Sequence, residues 1–219
     1  MIVAAQHATR DANTLSSVIR ARRSIRSFKP DAIPAETLNA ILDDACWSPS
    51  WSNTQPYRLA IASGDTRDKI SQELCVRFDR AIRGQQAGLW AKVKLLLTPG
   101  ALPDGDFKTN FEYPKDLQPS RNATGRGLYE LLGIGRHDHA ARNRQMRKNF
   151  EFFGAPTALF VFVHGGLKEF AALDAGVFIQ TLMLSAHARG LATCAQGALA
   201  SWRTPLLEHF DIPAHYKLL

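Results

Sequence analysis

The sequence predicts one domain of the α+β class, and three observations predict it. The chain has 219 residues, 45% hydrophobic and 21% charged, the size and composition of a single globular domain with a sizeable core. Apolar runs of strand length, Tyr57–Ala62 and Ala158–Val163, stand among helix-period patterns. The longest helix pattern, Ala171–Ala188, is apolar nearly all round, so it is expected to be buried on all sides.

Residues 1–13 read as a loose arm. Thr14 is placed to cap a short helix reaching about Arg22. Pro34 opens a second helix, with Leu38, Ile41, Leu42 and Ala45 at helical spacing. It ends near Trp47, where Pro49 enforces the stop. After the strand at Tyr57–Ala62, Gly64-Asp65 turns into a helix. Asp65 is its candidate N-cap, and Ile70, Leu74, Phe78 and Ile82 recur every four residues.

From about 84 to 135 the pattern fails, punctuated by Pro99, Pro103, Pro114 and Pro119. That is too long for an ordinary connection, so the single 1–219 domain is expected to carry an irregular, functional excursion there. Phe107, Phe111, Tyr113 and Tyr129 lie within it. They either anchor the excursion to the body, the reading favoured for at least two, or form a lid over a planar substrate.

Arg136, Arg142, Arg144, Arg147 and Lys148 read as a basic helix face. Ala158–Val163 is apolar without a break and should be a central strand, ended by Gly165-Gly166. In a chain this short, part of the burial of Ala171–Ala188 is expected from a second copy. Leu191–Leu199 reads as a strand running into a small-residue turn. Thr204 or Pro205 starts a last short helix, and Tyr216–Leu219 looks like the start of a strand.

The 27 Lys+Arg against 20 Asp+Glu give a net charge of +7. That charge suits nucleic acid, an acidic membrane surface or an anionic cofactor. No recognition helix, zinc-finger spacing or aromatic–glycine motif points to nucleic acid, so phosphorylated cofactors are the simpler explanation. Cys46, Cys75 and Cys194 are far apart and odd in number, and read as small core residues. His137 and His139 would share a face only on a strand, which argues against a metal site. With no apolar leader and no run of eighteen apolar residues, a soluble cytoplasmic protein is expected. No Ser-His-Asp or Cys-His constellation is supported by order and spacing.

Two stretches carry the chemistry. Arg22-Arg23-Ser24-Ile25-Arg26-Ser27-Phe28 gathers three guanidinium groups and a hydroxyl, donors suited to phosphate or a polarised carbonyl. Alone, such a run reads first as a solvated basic surface. Pro49-Ser50-Trp51-Ser52-Asn53-Thr54-Gln55-Pro56 is a loop of hydroxyls, amides and an indole fenced by prolines. In this order and spacing the pair resembles the flavin-dependent nitroreductase family, over about residues 14–219.

The resemblance implies a three-layer α/β/α fold with a mixed, mostly antiparallel sheet, assembled as a homodimer around the Ala171–Ala188 helix. It implies bound FMN, with NAD(P)H as electron donor. Arg22, Arg23 and Ser24 would hold the phosphate and ribityl chain, and Arg26 would favour the reduced, anionic ring. Ser50 and Asn53 would come from the other subunit, with Pro49 and Trp51 shaping the wall. Backbone around Ala195, Gln196 and Gly197 would face flavin N5, although the residues alone also read as an ordinary strand–helix turn. The family's C-terminal arm, which often brings a Lys or Arg to the phosphate, has no match here. The sheet edge and the phosphate site are the features this touches.

The activity implied is hydride transfer from NAD(P)H through flavin N5 to nitroaromatic, quinone or related electron-poor acceptors, donor and acceptor taking turns. A flavin-dependent dehalogenase or enone reductase on the same fold, and a flavin-binding protein without turnover, are the alternatives.

Overall fold

The computed structural model describes residues 12–86, 98, 100, 102–109 and 112–219. Its helices are α1 (Ala12–Ala21), α2 (Ala35–Cys46), α3 (Gly64–Gln86), α4 (Gln118–Leu131), α5 (His139–Arg147), α6 (Lys168–Ala188) and α7 (Thr204–Leu207). Its strands are β1 (Tyr57–Ser63), β2 (Thr157–His164) and β3 (Tyr216–Leu218), with β2 in the centre of an antiparallel β1-β2-β3 sheet. Tyr57 pairs with Val163 and Ser63 with Thr157, while Phe162 pairs with Leu218.

The continuous apolar run of β2 has a physical reason: both faces are covered. Ala158, Phe160 and Phe162 point into a core with Ile70, Leu74 and Phe78 of α3. Val163 joins Ala45 of α2 and Ala171, Ala175 and Phe178 of α6 on the other face. Helix, sheet and helix pair thus form the three expected layers.

Several expectations need correction. Helix α1 begins at Ala12, before Thr14, and Asp65 lies inside the first turn of α3 instead of capping it. Cys75 is buried and Cys194 partly buried, but Cys46 is exposed, because its neighbour Ala45 takes the core-facing position of α2. Leu191–Leu199 is not a regular strand. Only Thr193 pairs, by a parallel bridge to Ser24, and a short 3₁₀ turn follows at Gly197–Ser201. The proline-rich segment holds a regular helix, α4, in which Pro119 occupies an opening position instead of breaking it. No residue of α4 is buried, so it left no apolar period to read. Phe111 and residues 1–11 lie outside the described residues.

Helix α6 is not buried all round within one chain. Leu173 is 63% and Phe170 44% exposed, and Val177 is exposed as well. By length and composition alone, Gly165–Ala188 could cross a membrane. Its polar groups are instead joined to the body. Asp174 accepts from the Trp51 amide at 3.0 Å, Thr181 bonds the Ser48 hydroxyl at 2.8 Å, and Ser185 donates to Asp44 at 2.7 Å. It is the core helix of this domain.

The Arg22–Phe28 stretch is fixed through a relay. Arg67 of α3 donates to the carbonyls of Ala155 and Glu151 and stacks on Phe152. This holds Phe152 and Phe153 at positive φ (54° and 51°), and Phe153 in turn accepts the Phe28 amide at 3.2 Å. Arg67→Ala should therefore lower stability by about 2–3 kcal/mol, the range for charge-assisted hydrogen bonds. Urea denaturation checks this, and a loss of only a few tenths would show that the loop does not depend on Arg67.

Candidate cofactor site

Two expected segments meet in the structure. Ser24 bridges Thr193, and the Ile25 amide donates to the Thr193 carbonyl at 3.1 Å. That pairing lays the arginine run along Leu191–Gly197. Arg22, Arg23, His187 and the backbone of Gly190–Thr193 line a cleft of about 280 Å³. Among the described residues, Arg22, Arg23 and Arg26 have no carboxylate partner. Arg189, close by in sequence, is neutralised by Asp44 at 2.7 Å. The Ser185 hydroxyl, and then Arg189, hold the Asp44 carboxyl below its ordinary value.

The donor set fits a phosphorylated, oxygen-rich ligand. Three unpaired guanidinium groups offer charge-assisted hydrogen bonds. The buried Thr193 hydroxyl oxygen has no hydrogen-bond partner. An unpaired buried polar group costs about 1–3 kcal/mol. The Arg23 guanidinium is turned onto the backbone carbonyls of Arg20 and Arg22, so it must swing to meet such a ligand.

Ala195, Gln196 and Gly197 lie further along the same segment, on the rim of a larger groove of about 410 Å³. That groove has no charged lining residue. Its floor is Ile179, Leu182, Met183 and Phe160, and it runs beside the part of β2 that β3 does not cover. It suits apolar or extended matter and not a phosphate. The smaller cleft is the one lined by arginine.

The Pro49–Pro56 loop stands elsewhere. Ser52, Asn53 and Gln55 all have positive φ (50°, 54° and 43°), which for non-glycine residues is strained backbone. The loop is fastened by Ser50 accepting the Gln55 amide, Gln55 donating to the Cys46 carbonyl, and Asp174 accepting the Trp51 amide. Trp51 is 59% exposed and packs on Phe170 at 4.8 Å. Asp174 and His187 stand thirteen residues apart on α6, about 20 Å at helical rise. Within one chain, then, the structure joins the arginine run to Thr193, sets Trp51 beside Asp174 and Phe170, and leaves Ser48, which precedes the loop, against Thr181 in the middle of α6.

Sequence reasoning missed four residues here. Asp174 was detectable as the only ionisable residue between Phe170 and Ala186. His187 and Thr193 are ordinary until the fold brings them to the cleft. Asn149 holds the Gln196 side chain at 3.1 Å across 47 residues, with no local signal. In the His137-Asp138-His139 run, Asp138 caps α5 by accepting the Ala141 amide. No metal-binding group occurs among the described residues.

Arg26 is near enough to Cys194 to act on it. Burial pushes the Cys194 thiol up, and the Arg26 charge pulls it part of the way back. The folded thiol therefore stays protonated to higher pH than the unfolded one. Its contribution to stability is complete below the ordinary thiol pKa of about 8.5 and is lost as pH rises through the folded value. Arg26→Ala should push the thiol higher still and slow its alkylation by iodoacetamide at pH 8. An unchanged rate would separate Arg26 from this turn.

The chain also has known relatives. The nitroreductase family pattern matches residues 19–219. A 4-nitrobenzoate reductase of Nocardioides sp. (strain LMS-CY) is 32% identical, over 93% of this chain and 76% of that protein. A chloronitrobenzene nitroreductase of Comamonas testosteroni is 32% identical, over 91% of this chain and 80% of that protein. Among solved structures, the FMN-dependent nitroreductase NfnB of Mycobacterium smegmatis in complex with NADPH superposes with a TM-score of 0.79 at 29% identity. That match covers 95% of this chain and 85% of the other. Fold, paired motifs and matched sequence agree: this chain belongs to the nitroreductase family.

Proposed function

We propose that the chain is an FMN-dependent oxidoreductase, acting as a homodimer, that moves reducing equivalents from NAD(P)H to nitroaromatic, quinone or related electron-poor acceptors. The observation that carries this reading is the run of arginines without carboxylate partners paired, through Ser24, to Thr193, on the segment that leads into Ala195–Gly197. When bound, FMN supplies the two-electron chemistry through its ring. The protein supplies binding, orientation and charge.

Arg22, Arg23, Ser24 and His187 form the cationic end and hold the phosphate. Arg26 sets positive charge beside the Cys194–Gly197 turn, which favours an anionic reduced ring. Pro49, Ser50, Trp51 and Asn53 complete the site from a second copy. The roughly 20 Å along α6 between Asp174, which holds the loop at Trp51, and His187 argues for this. A second copy packed antiparallel along α6 carries its loop to the first copy's cationic end. The open face of Phe170, Leu173 and Val177, with Trp51, is the apolar surface such packing buries.

The relatives named for nitrobenzoate and chloronitrobenzene reduction support planar nitroaromatics as acceptors. One shared site for donor and acceptor makes the exchange ping-pong. The workplace proposed is the cytoplasm, where NAD(P)H is made.

Purified protein should carry FMN, bleach on adding NAD(P)H and regain colour with a nitroaromatic. Arg22→Ala should weaken FMN binding about tenfold or more, by loss of a charge-assisted contact. Dialysis and fluorescence titration check it. Full retention of FMN by the variant would remove Arg22 from the phosphate site. Bound flavin that NAD(P)H never bleaches would leave a binding protein in place of an enzyme.

A further inference from the structure

The segment that leads into the Gly197–Ser201 turn is held by Ser24 and Ile25 at Thr193 and by Asn149 at Gln196. The far end of the turn is held by a three-residue piece of the proline-rich excursion, Asp104-Gly105-Asp106. The amides of Asp104 and Gly105 both donate to the Ser201 carbonyl, at 3.1 and 3.0 Å. One Asp104 carboxylate oxygen accepts the Arg203 amide at 2.7 Å. The other accepts the Thr204 amide at 3.3 Å and the Thr204 hydroxyl. Thr109 adds a hydroxyl contact to Ser201 at 3.0 Å.

Gly105 is there for space. A Cβ at this position would lie 1.9 Å from the Ala200 carbonyl oxygen, a distance no side chain tolerates. Backbone therefore meets backbone, and only glycine allows it. Asp106 extends the grip to the sheet. Its nearly buried carboxylate pairs with Arg203 at 3.0 Å and Lys217 at 3.4 Å, and accepts the Leu218 amide of β3 at 2.8 Å. The edge of β3 is capped at that amide by the excursion.

We infer that Asp104 and Gly105 are positioning residues that fix the Gln196–Ser201 turn against the cofactor; this rests on the flavin reading of that turn. They do not touch the cofactor. Asp104 acts through Arg203 and Thr204, and Gly105 through Ala200 and Ser201. The excursion's first duty is to set the pitch of backbone N–H groups about a hundred residues away in sequence, whatever its later part covers. A carboxylate taking several donors is a stiff fastening, since its hydrogen bonds are charge-assisted.

The test uses Asp104→Asn, which keeps size and loses charge, and Gly105→Ala, which forces the segments apart. Hydrogen exchange on the cofactor-free proteins should show amides of 196–204 opening about tenfold faster or more, with amides of 157–164 unchanged. In the FMN-loaded Asp104→Asn protein the flavin midpoint potential should shift from the wild-type value. If 196–204 exchanges at the wild-type rate in both variants, the clamp does not hold the turn and the inference falls. If exchange rises while the potential and FMN affinity of Asp104→Asn stay at wild-type values, the clamp is structural only and the positioning role is refuted. Wild-type protein that takes up no FMN would instead overturn the flavin reading, and the positioning role with it.

Discussion

Helix α6 is a rigid rod of 21 residues, about 30 Å long, and everything of interest is placed relative to it. One end holds the strained Pro49–Pro56 loop through a single carboxylate, Asp174. The other end contributes His187 to the cationic cleft. The Trp51 amide is held at Asp174, about 20 Å along the helix from His187. The rod also presents Phe170, Leu173 and Val177 to solvent on its loop-bearing half. The proposed second copy, lying along the same rod, would cover that open face and complete the site.

Charge decides the other half of the account. Some arginines of the body pair with carboxylates, Arg67 with Asp68 among them. Arg77 pairs with Glu73, Arg147 with Asp79, Arg189 with Asp44 and Arg203 with Asp106. Arg22, Arg23 and Arg26 do not, and they fall within five residues of one another, beside Thr193, whose buried hydroxyl oxygen lacks a partner. Such a run is charge from which an anionic cofactor would gain.

Much of this was legible in the sequence, and the reasons are local. Strand β2 declared itself because both its faces are buried, and α3 because Ile70, Leu74 and Phe78 repeat at one turn. The two motifs were legible because each keeps its chemistry within eight residues. What escaped depends on distant partners. Leu191–Leu199 has strand-like residues, but only Thr193 finds a backbone to pair with. Helix α4 buries nothing and so writes no period. Asp174 and Asp104 do their work across 123 and about a hundred residues. A carboxylate's role is set by the donors the fold brings to it, and sequence spacing says nothing of those.

The divided site is the central claim, and subunit complementation tests it most directly. Arg22→Ala and Asn53→Ala proteins, each defective alone, are mixed, dissociated in mild denaturant and reassembled, and FMN bound per dimer is measured. If each site takes its arginines from one copy and its loop from the other, a mixed dimer holds one site with both defects and one with neither. Binding and nitroaromatic reduction should return in that intact site. If each site were built within one chain, every site in the mixed dimer would carry a defect, and nothing would be restored.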